Sequence, residues 1–155
     1  MRKSFTQIIA EVEARPEQEW FHFGNLRWDV AKAWRWIDAG LIDFRKENAD
    51  ISDYAKGVLS LDRENGKIGN SFFIRLDPEY VQSIKPGSDQ YNSPGLLLTD
   101  VKEFDGASII IDGNHRVAAH YMNGDDKMPF YVIDGNLSKA LQGIDEMPPK
   151  KLRKR

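Results

Sequence analysis

The 155-residue sequence contains no cysteine, and this absence excludes several kinds of chemistry. Disulfide frameworks, thiolate zinc sites and thiol nucleophiles all require cysteine side chains. A chain of this length can bury a core without such a covalent or metal staple, so a single domain over residues 1–147 is expected. Because a cysteine-free chain fits a reducing compartment, the sequence predicts a cytoplasmic protein.

Long apolar runs are also missing from the sequence. Apolar runs such as Ser108 to Ile111 are far shorter than the ~20 residues that are needed to cross a bilayer. Near the amino terminus a short apolar patch is interrupted by Glu11 and Glu13, which argues against a signal peptide. No association with a membrane is therefore expected.

Neither sign of charge dominates, since 22 basic and 24 acidic residues give a net charge of −2. The domain as a whole is not expected to attract DNA, so any contact with nucleic acid must be local. One basic segment, the predicted tail 148–155, follows two prolines. Its candidate nucleic-acid contacts are Lys150, Lys151, Arg153, Lys154 and Arg155. The alternative is that this tail only improves solubility.

Hydrophobic spacing predicts the regular elements of the first half of the chain. Apolar residues recur at helical intervals after Asp29, a capping residue, which predicts a helix over 29–39. The charged stretch 41–67 predicts irregular structure around one short helix. Residues 68–76 are predicted to form a strand.

In the second half of the chain, capping and turn residues mark the boundaries of the predicted elements more clearly. Asp77-Pro78-Glu79 combines a capping residue, a proline at the first helical position and an acid in the first turn, which predicts the start of a helix. The elements predicted to follow are a surface loop (88–95), two strands of a hairpin (96–101 and 108–111), a helix (114–123) and a strand (129–133). This order predicts an α+β domain with packed helices and a small mixed sheet.

The segment from Ile109 to Arg116 joins an apolar strand to a helix through a tight turn. The unpaired backbone N–H groups of a helix's first turn attract anions. Gly113 allows a phosphate to approach the backbone, and Arg116 can clamp it with two parallel hydrogen bonds. His115 is a further donor that can become cationic near neutral pH. We therefore predict a phosphate or nucleotide site formed by Gly113, Asn114, His115 and Arg116.

These residues also form a motif. The sequence from Asp112 to Ala119 resembles the D-G-x-H-R-x-x-A box of ParB-type amino-terminal domains, and Gly113-x-His115-Arg116 resembles the G-C-H-R box of sulfiredoxins. Pro129 to Ile133 is similar to the strand that follows in that superfamily, and the recognisable core covers about 68–134. The resemblance implies a ParB/sulfiredoxin-like fold and a pocket for a nucleoside triphosphate, ATP or CTP, usually with Mg²⁺.

The activity implied by the resemblance is broad, because the superfamily contains CTP-gated DNA clamps, ATP-using repair enzymes, a serine kinase, and plasmid or phage nucleases and ATPases. Asn114 stands where sulfiredoxins carry their catalytic cysteine, which excludes their thiol-dependent reaction. It also stands where chromosomal partition proteins carry a glutamate, which puts CTP turnover in doubt. Only 22 residues follow Ile133, so their helix-turn-helix domain is not expected here.

Three carboxylates are candidate magnesium ligands, because magnesium prefers one or two carboxylates together with phosphate oxygens. They are Asp100, Glu103 and Asp112, and the candidate catalytic residues are Asp112 and His115. Two alternatives stay open: Asp112 can cap the following helix, and Arg116 can form a structural salt bridge.

Other conspicuous residues have structural interpretations that we favour. His120 is expected to be structural, and Asp125-Asp126 is expected to be a solvated loop. Trp36, beside Lys32 and Arg35, is expected to serve packing, with stacking on a base or partner as the alternative.

Three hypotheses for function follow. The first is a nucleotide-dependent enzyme, namely a phosphotransferase or a hydrolase such as an ATPase or a metal-dependent nuclease. The second is a non-catalytic module that binds DNA or a protein. The third is a protein from a phage or another mobile element that blocks a host factor.

Overall fold

The structure is a computed structural model that describes residues 19–69, 71 and 73–144. The described strands are β1 (Trp20–Phe23), β2 (Leu26–Asp29), β3 (Arg45–Asp50), β4 (Leu61–Asp62), β5 (Lys67–Ile68), β6 (Gly95–Val101), β7 (Ala107–Asp112) and β8 (Lys127–Asp134). The described α-helices are α1 (Val30–Asp38), α2 (Ser52–Gly57), α3 (Pro78–Ser83), α4 (Asp89–Asn92), α5 (Asn114–Met122) and α6 (Ser138–Leu141). None of these helices has the length and apolar character that a bilayer span requires.

The strands form one four-stranded sheet and two small hairpins. The order in the large sheet is β3-β8-β6-β7, and β1-β2 and β4-β5 are separate antiparallel pairs. Strands β6 and β7 are antiparallel and pair Leu96 with Asp112, with irregularities that include the segment between Leu98 and Val101. The predicted α+β class with a mixed sheet is therefore confirmed. The ParB/sulfiredoxin-like form of that class remains a prediction.

The chain divides into two compact units, each with its own core. The described part of the first unit is Lys46–Gly95 and Gly113–Phe130. Helix α5 is its centre, because α2, α3 and α4 all pack against it. The residues buried in this unit include Ile51, Leu59, Val81, Ile84, Val117, Ala118, Ala119, Met128 and Phe130. The small alanines of α5 allow close packing around it.

The second unit comprises residues 19–45, Leu96–Asp112 and 131–144 in the described part of the chain. Its core includes Trp28, Val30, Ile37, Leu96, Leu98, Ile109, Ile111, Ile133 and Leu141. Helix α1 begins as predicted, with the Asp29 side chain accepting a hydrogen bond from the Lys32 backbone N–H. The buried indole of Trp28 donates to the hydroxyl of Ser138 across 2.9 Å. This hydrogen bond ties the β1-β2 hairpin to helix α6 of the same unit.

Several predicted elements match the structure closely. Helix α1, helix α5 and strands β6, β7 and β8 lie within about two residues of their predicted bounds. Helix α3 starts at Pro78, and Asp77 caps it by accepting from the backbone N–H groups of Glu79 and Tyr80.

Among the residues that the structure describes between 68 and 76, only Ile68 lies in a strand, so the predicted strand over this range is wrong. The Ser71 hydroxyl donates to the Val58 carbonyl and accepts from the backbone N–H groups of Phe73 and Ile74. Because those N–H groups bond locally, they cannot join the hydrogen-bond ladder of a sheet.

Two other segments also differ from the predictions. The stretch 41–67 contains strands β3, β4 and β5 besides its short helix, which covers Ser52–Gly57. The predicted surface loop 88–95 includes helix α4, because the Ser88 hydroxyl caps it and Tyr91 is buried.

Candidate functional site

The turn at residues 113–116, called here the Gly113 turn, starts helix α5. Gly113 is the residue before the helix and has a φ of +101°, a left-handed conformation that side chains disfavour. A Cβ atom at this position would lie 3.1 Å from the Cα atom of Gly95, which is tighter than most packing contacts and would require a shift of a few tenths of an ångström. The first intrahelical hydrogen bond runs from the Val117 N–H to the Gly113 carbonyl across 2.8 Å. The backbone N–H groups of residues 114–116 therefore lie ahead of the first intrahelical hydrogen bond, at the start of the helix.

The guanidinium of Arg116 lies against the same turn. Its Nη2 and Nε atoms are 3.1 and 3.3 Å from the position that a Cβ atom on residue 113 would occupy. Arg116 is partly buried, so its charge is held near the start of the helix rather than extended into water. A positive side chain and the positive end of the helix dipole therefore lie together.

His115 joins the Gly113 turn to the start of helix α3. Its Nε2 atom accepts a hydrogen bond from the Asp77 backbone N–H across 3.0 Å, and its ring centroid is 4.8 Å from that of Tyr80. Because Nε2 accepts, the proton of the neutral ring belongs on Nδ1. Burial lowers the pKa of His115, and the negative charge of Asp77 opposes this effect only in part. The structure therefore favours neutral His115, contrary to the expectation that it becomes cationic near neutral pH.

Asn114 uses its side chain inside the protein. It is buried, and its Oδ1 atom accepts a hydrogen bond from the Tyr54 hydroxyl across 2.5 Å. Burial raises the pKa of Tyr54, which keeps the hydroxyl protonated and able to donate. The amide side chain thus fixes the start of α5 against α2, so its backbone N–H is the group that faces a phosphate in the predicted role.

Asp112 is held by a tryptophan of its own unit. The indole Nε1 of Trp34 donates to Oδ2 of Asp112 across 2.7 Å. The residue that precedes α5 is Gly113, so the alternative interpretation of Asp112 as the helix cap is wrong. Its predicted catalytic role stays a prediction.

The other two predicted metal ligands have separate surroundings. Asp100 lies in strand β6 in a left-handed conformation, with a φ of +54°. Glu103 accepts hydrogen bonds from Gln142 across 2.7 Å and from Ser138 across 3.2 Å. Burial alone would raise the pKa of Glu103, but these hydrogen bonds, its own backbone N–H and the charge of Lys139 lower it. Among the described residues, no three or more metal-ligating side chains come together, so these carboxylates form no such cluster.

His120 is structural, as expected, and Asp125-Asp126 lies in a solvated loop, as expected, but this loop is also anchored to the fold. Both acids hold tertiary contacts: Asp125 accepts from the Tyr91 hydroxyl and lies 3.0 Å from the His120 ring, while Asp126 pairs with Arg63 at 3.0 Å. The His120 ring also stacks on Tyr91, with centroids 3.9 Å apart. These groups support helix α5 at the end opposite the Gly113 turn.

The structure brings together residues that the sequence reasoning did not connect. Tyr54, Asp77 and Tyr80 surround Asn114 and His115, and no local motif indicates these pairings. The predicted nucleic-acid residues of the tail 148–155 lie outside the described residues.

Comparisons with protein-family models, with curated proteins and with solved structures found no match to this chain. The functional interpretation therefore depends on the Gly113 turn itself.

Proposed function

We propose that the Gly113 turn binds the phosphate groups of a nucleoside triphosphate, ATP or CTP, together with Mg²⁺. The observation that carries this proposal is the position of the Arg116 guanidinium against a left-handed helix start that favours glycine and leaves little room for a side chain. Backbone N–H groups, the helix dipole and a guanidinium are the three phosphate-binding devices that proteins combine most often.

The remaining members of the turn support this role in different ways. Neutral His115 offers its Nδ1–H as a donor while Nε2 is fixed by Asp77. Asn114 contributes its backbone N–H, since its side chain is fixed by Tyr54. Fixed donors bind an anion well because little reorganisation is needed when it arrives.

Magnesium in such sites is held mainly by phosphate oxygens and water, with one or two carboxylates. Asp112 immediately precedes the turn in the chain and is the proposed protein ligand. Its hydrogen bond from Trp34 would orient the carboxylate. Mg²⁺ would reduce the charge repulsion between the triphosphate and the acidic chain.

The test is calorimetric titration of ATP, CTP and pyrophosphate with Mg²⁺ into the parent protein and Arg116→Ala. Loss of charge-assisted hydrogen bonds worth ~1.5–3 kcal/mol should weaken binding about ten- to a hundredfold. Arg75→Ala is the matched control, because Arg75 is an exposed arginine of the same unit. Urea unfolding of each variant shows whether the fold is intact.

The outcomes separate the hypotheses. A folded Arg116→Ala protein that binds every tested nucleotide like the parent would refute the assignment of phosphate binding to Arg116. A large loss of stability in Arg116→Ala would instead indicate a structural ion pair, whose breakage costs ~3–5 kcal/mol. Release of inorganic phosphate by the parent would add the enzymatic role, and binding without release would favour the non-catalytic module. Absence of nucleotide binding would favour the inhibitor of a host factor.

A further inference from the structure

A second group of polar and aromatic side chains lies in the second unit and includes none of the residues of the Gly113 turn. We call it the cation–aromatic patch and define it by Trp20, Arg27, Lys32 and Trp36. On the β1-β2 hairpin, the guanidinium carbon of Arg27 lies 4.0 Å from the centre of the Trp20 ring. Arg27 is exposed and Trp20 is partly buried, so this stacked pair is accessible to water.

The second pair of the patch belongs to helix α1. The Lys32 ammonium lies 5.6 Å from the centre of the Trp36 ring and 3.5 Å from the carbonyl oxygen of Ala140. Trp36 contacts the core of this unit but is only partly buried. Core packing thus accounts for the buried part of the Trp36 ring. The Lys32 ammonium adds a positive charge beside the ring, which core packing does not require.

Both pairs border the same short segment near the end of the described chain. Lys32 reaches Ala140, and a Cβ atom on Gly143 would lie 4.0 Å from the Trp20 ring. Lys32 of one pair and Trp20 of the other therefore lie beside residues 140–143.

We propose that the cation–aromatic patch binds single-stranded nucleic acid with little sequence preference. Unpaired bases stack on tryptophan rings and on guanidinium planes, while lysine and arginine neutralise phosphates. Asp29, which pairs with Trp20 in the hairpin, is buried and adds no exposed negative charge there. A duplex keeps its bases stacked on each other, so the same patch would bind it more weakly. This proposal is independent of nucleotide binding at the Gly113 turn.

The test is fluorescence anisotropy of a labelled oligothymidylate of about 12 nucleotides, a length suited to a small single-strand site. Titrations use the full chain at several NaCl concentrations, with tryptophan fluorescence as a second signal. The double variant Arg27→Ala/Lys32→Ala should bind at least about fivefold more weakly. It should also lower the slope of log affinity against log salt by about 1.4, since each phosphate contact on a single strand contributes about 0.7.

The matched control is Arg75→Ala/Lys85→Ala, which removes the same charges from exposed positions of the first unit. If this control variant binds with an affinity close to that of the parent, and tryptophan fluorescence is quenched on binding, the result supports the cation–aromatic patch. An equal loss in both double variants would overturn the proposal, because general charge would then explain binding. Three other results would overturn it as well: no binding by the parent at low salt, duplex binding as tight as single-strand binding, or a loss caused only by replacing the five basic tail residues with glutamine. Circular dichroism and thermal unfolding confirm that each variant is folded.

Discussion

Replacing Gly113 by alanine should carry a conformational cost and a packing cost. The two can be separated by comparison with Gly124, at the other end of helix α5. Gly113 precedes the helix with a φ of +101°, and Gly124 follows it with a φ of +97°. At Gly124 a new Cβ atom would meet nothing within 4 Å, whereas at Gly113 it would lie 3.1 Å from the backbone of Gly95. Gly124→Ala therefore measures the conformational cost alone.

The magnitudes follow from this difference. A left-handed backbone costs a non-glycine residue about 1–2 kcal/mol, so Gly124→Ala should lower the free energy of unfolding by about that amount. Gly113→Ala carries the same cost and a packing cost of about 1–3 kcal/mol, because the Gly95 backbone has to move. The flexible end of Arg116 can rotate away, but that movement takes the guanidinium from its position at the turn.

Urea unfolding gives the two free energies, and calorimetry gives the nucleotide affinity of whichever variants fold. We expect Gly113→Ala to lose more stability than Gly124→Ala and to bind nucleotide more weakly, while Gly124→Ala binds like the parent. Equal destabilisation of the two variants would refute the close approach at Gly113. Unchanged nucleotide binding by a folded Gly113→Ala protein would refute its role in admitting a phosphate.

Three further changes test individual contacts by urea unfolding. Tyr54→Phe removes the hydrogen bond to buried Asn114 and should cost about 1–3 kcal/mol; no loss would show that the bond contributes nothing. Trp34→Phe keeps an aromatic ring beside Tyr131 but removes the donor to Asp112, so a loss of about 1–3 kcal/mol is expected, and parental stability would contradict it. Because burial lowers the pKa of folded His115 below its ordinary 6.5, the unfolded chain binds a proton first, and stability should fall as the pH drops through about 6.5. His115→Gln should reduce that dependence, and an unchanged pH profile would argue against a buried neutral His115.

The elements that could be predicted from sequence are those whose signals are local. Helix α5 follows an apolar strand and a glycine, and Asp77-Pro78 begins helix α3 through a cap that needs only neighbouring residues. Strand β3 was missed because its sequence, RKENAD, has no apolar alternation. It lies at the edge of the sheet and is mostly exposed, so its hydrogen bonds rather than its side chains define it.

The candidate site shows the same division. The motif predicts that Gly113 starts the turn and that Arg116 lies beside it, and the structure has this local geometry, while their binding role stays a prediction. The partners of Asn114 and His115 were not found, because Tyr54 and Asp77 are 60 and 38 residues away in sequence. Hydrogen bonds over such separations depend on how short helices pack, and no periodicity in the sequence encodes that packing.

The anchored acids after helix α5 affect where the chain will accept an insertion. By composition, Gly124-Asp125-Asp126 looks like the natural place for an epitope or a fluorescent tag. However, Asp125 and Asp126 contact Tyr91 and Arg63, and the Asp126 carbonyl accepts from the Ile51 N–H across 2.8 Å. Extra residues there would disturb contacts with three other segments at once, namely those that contain Ile51, Arg63 and Tyr91. The turn of the β1-β2 hairpin, Gly24-Asn25, is exposed and is the more permissive position for a tag.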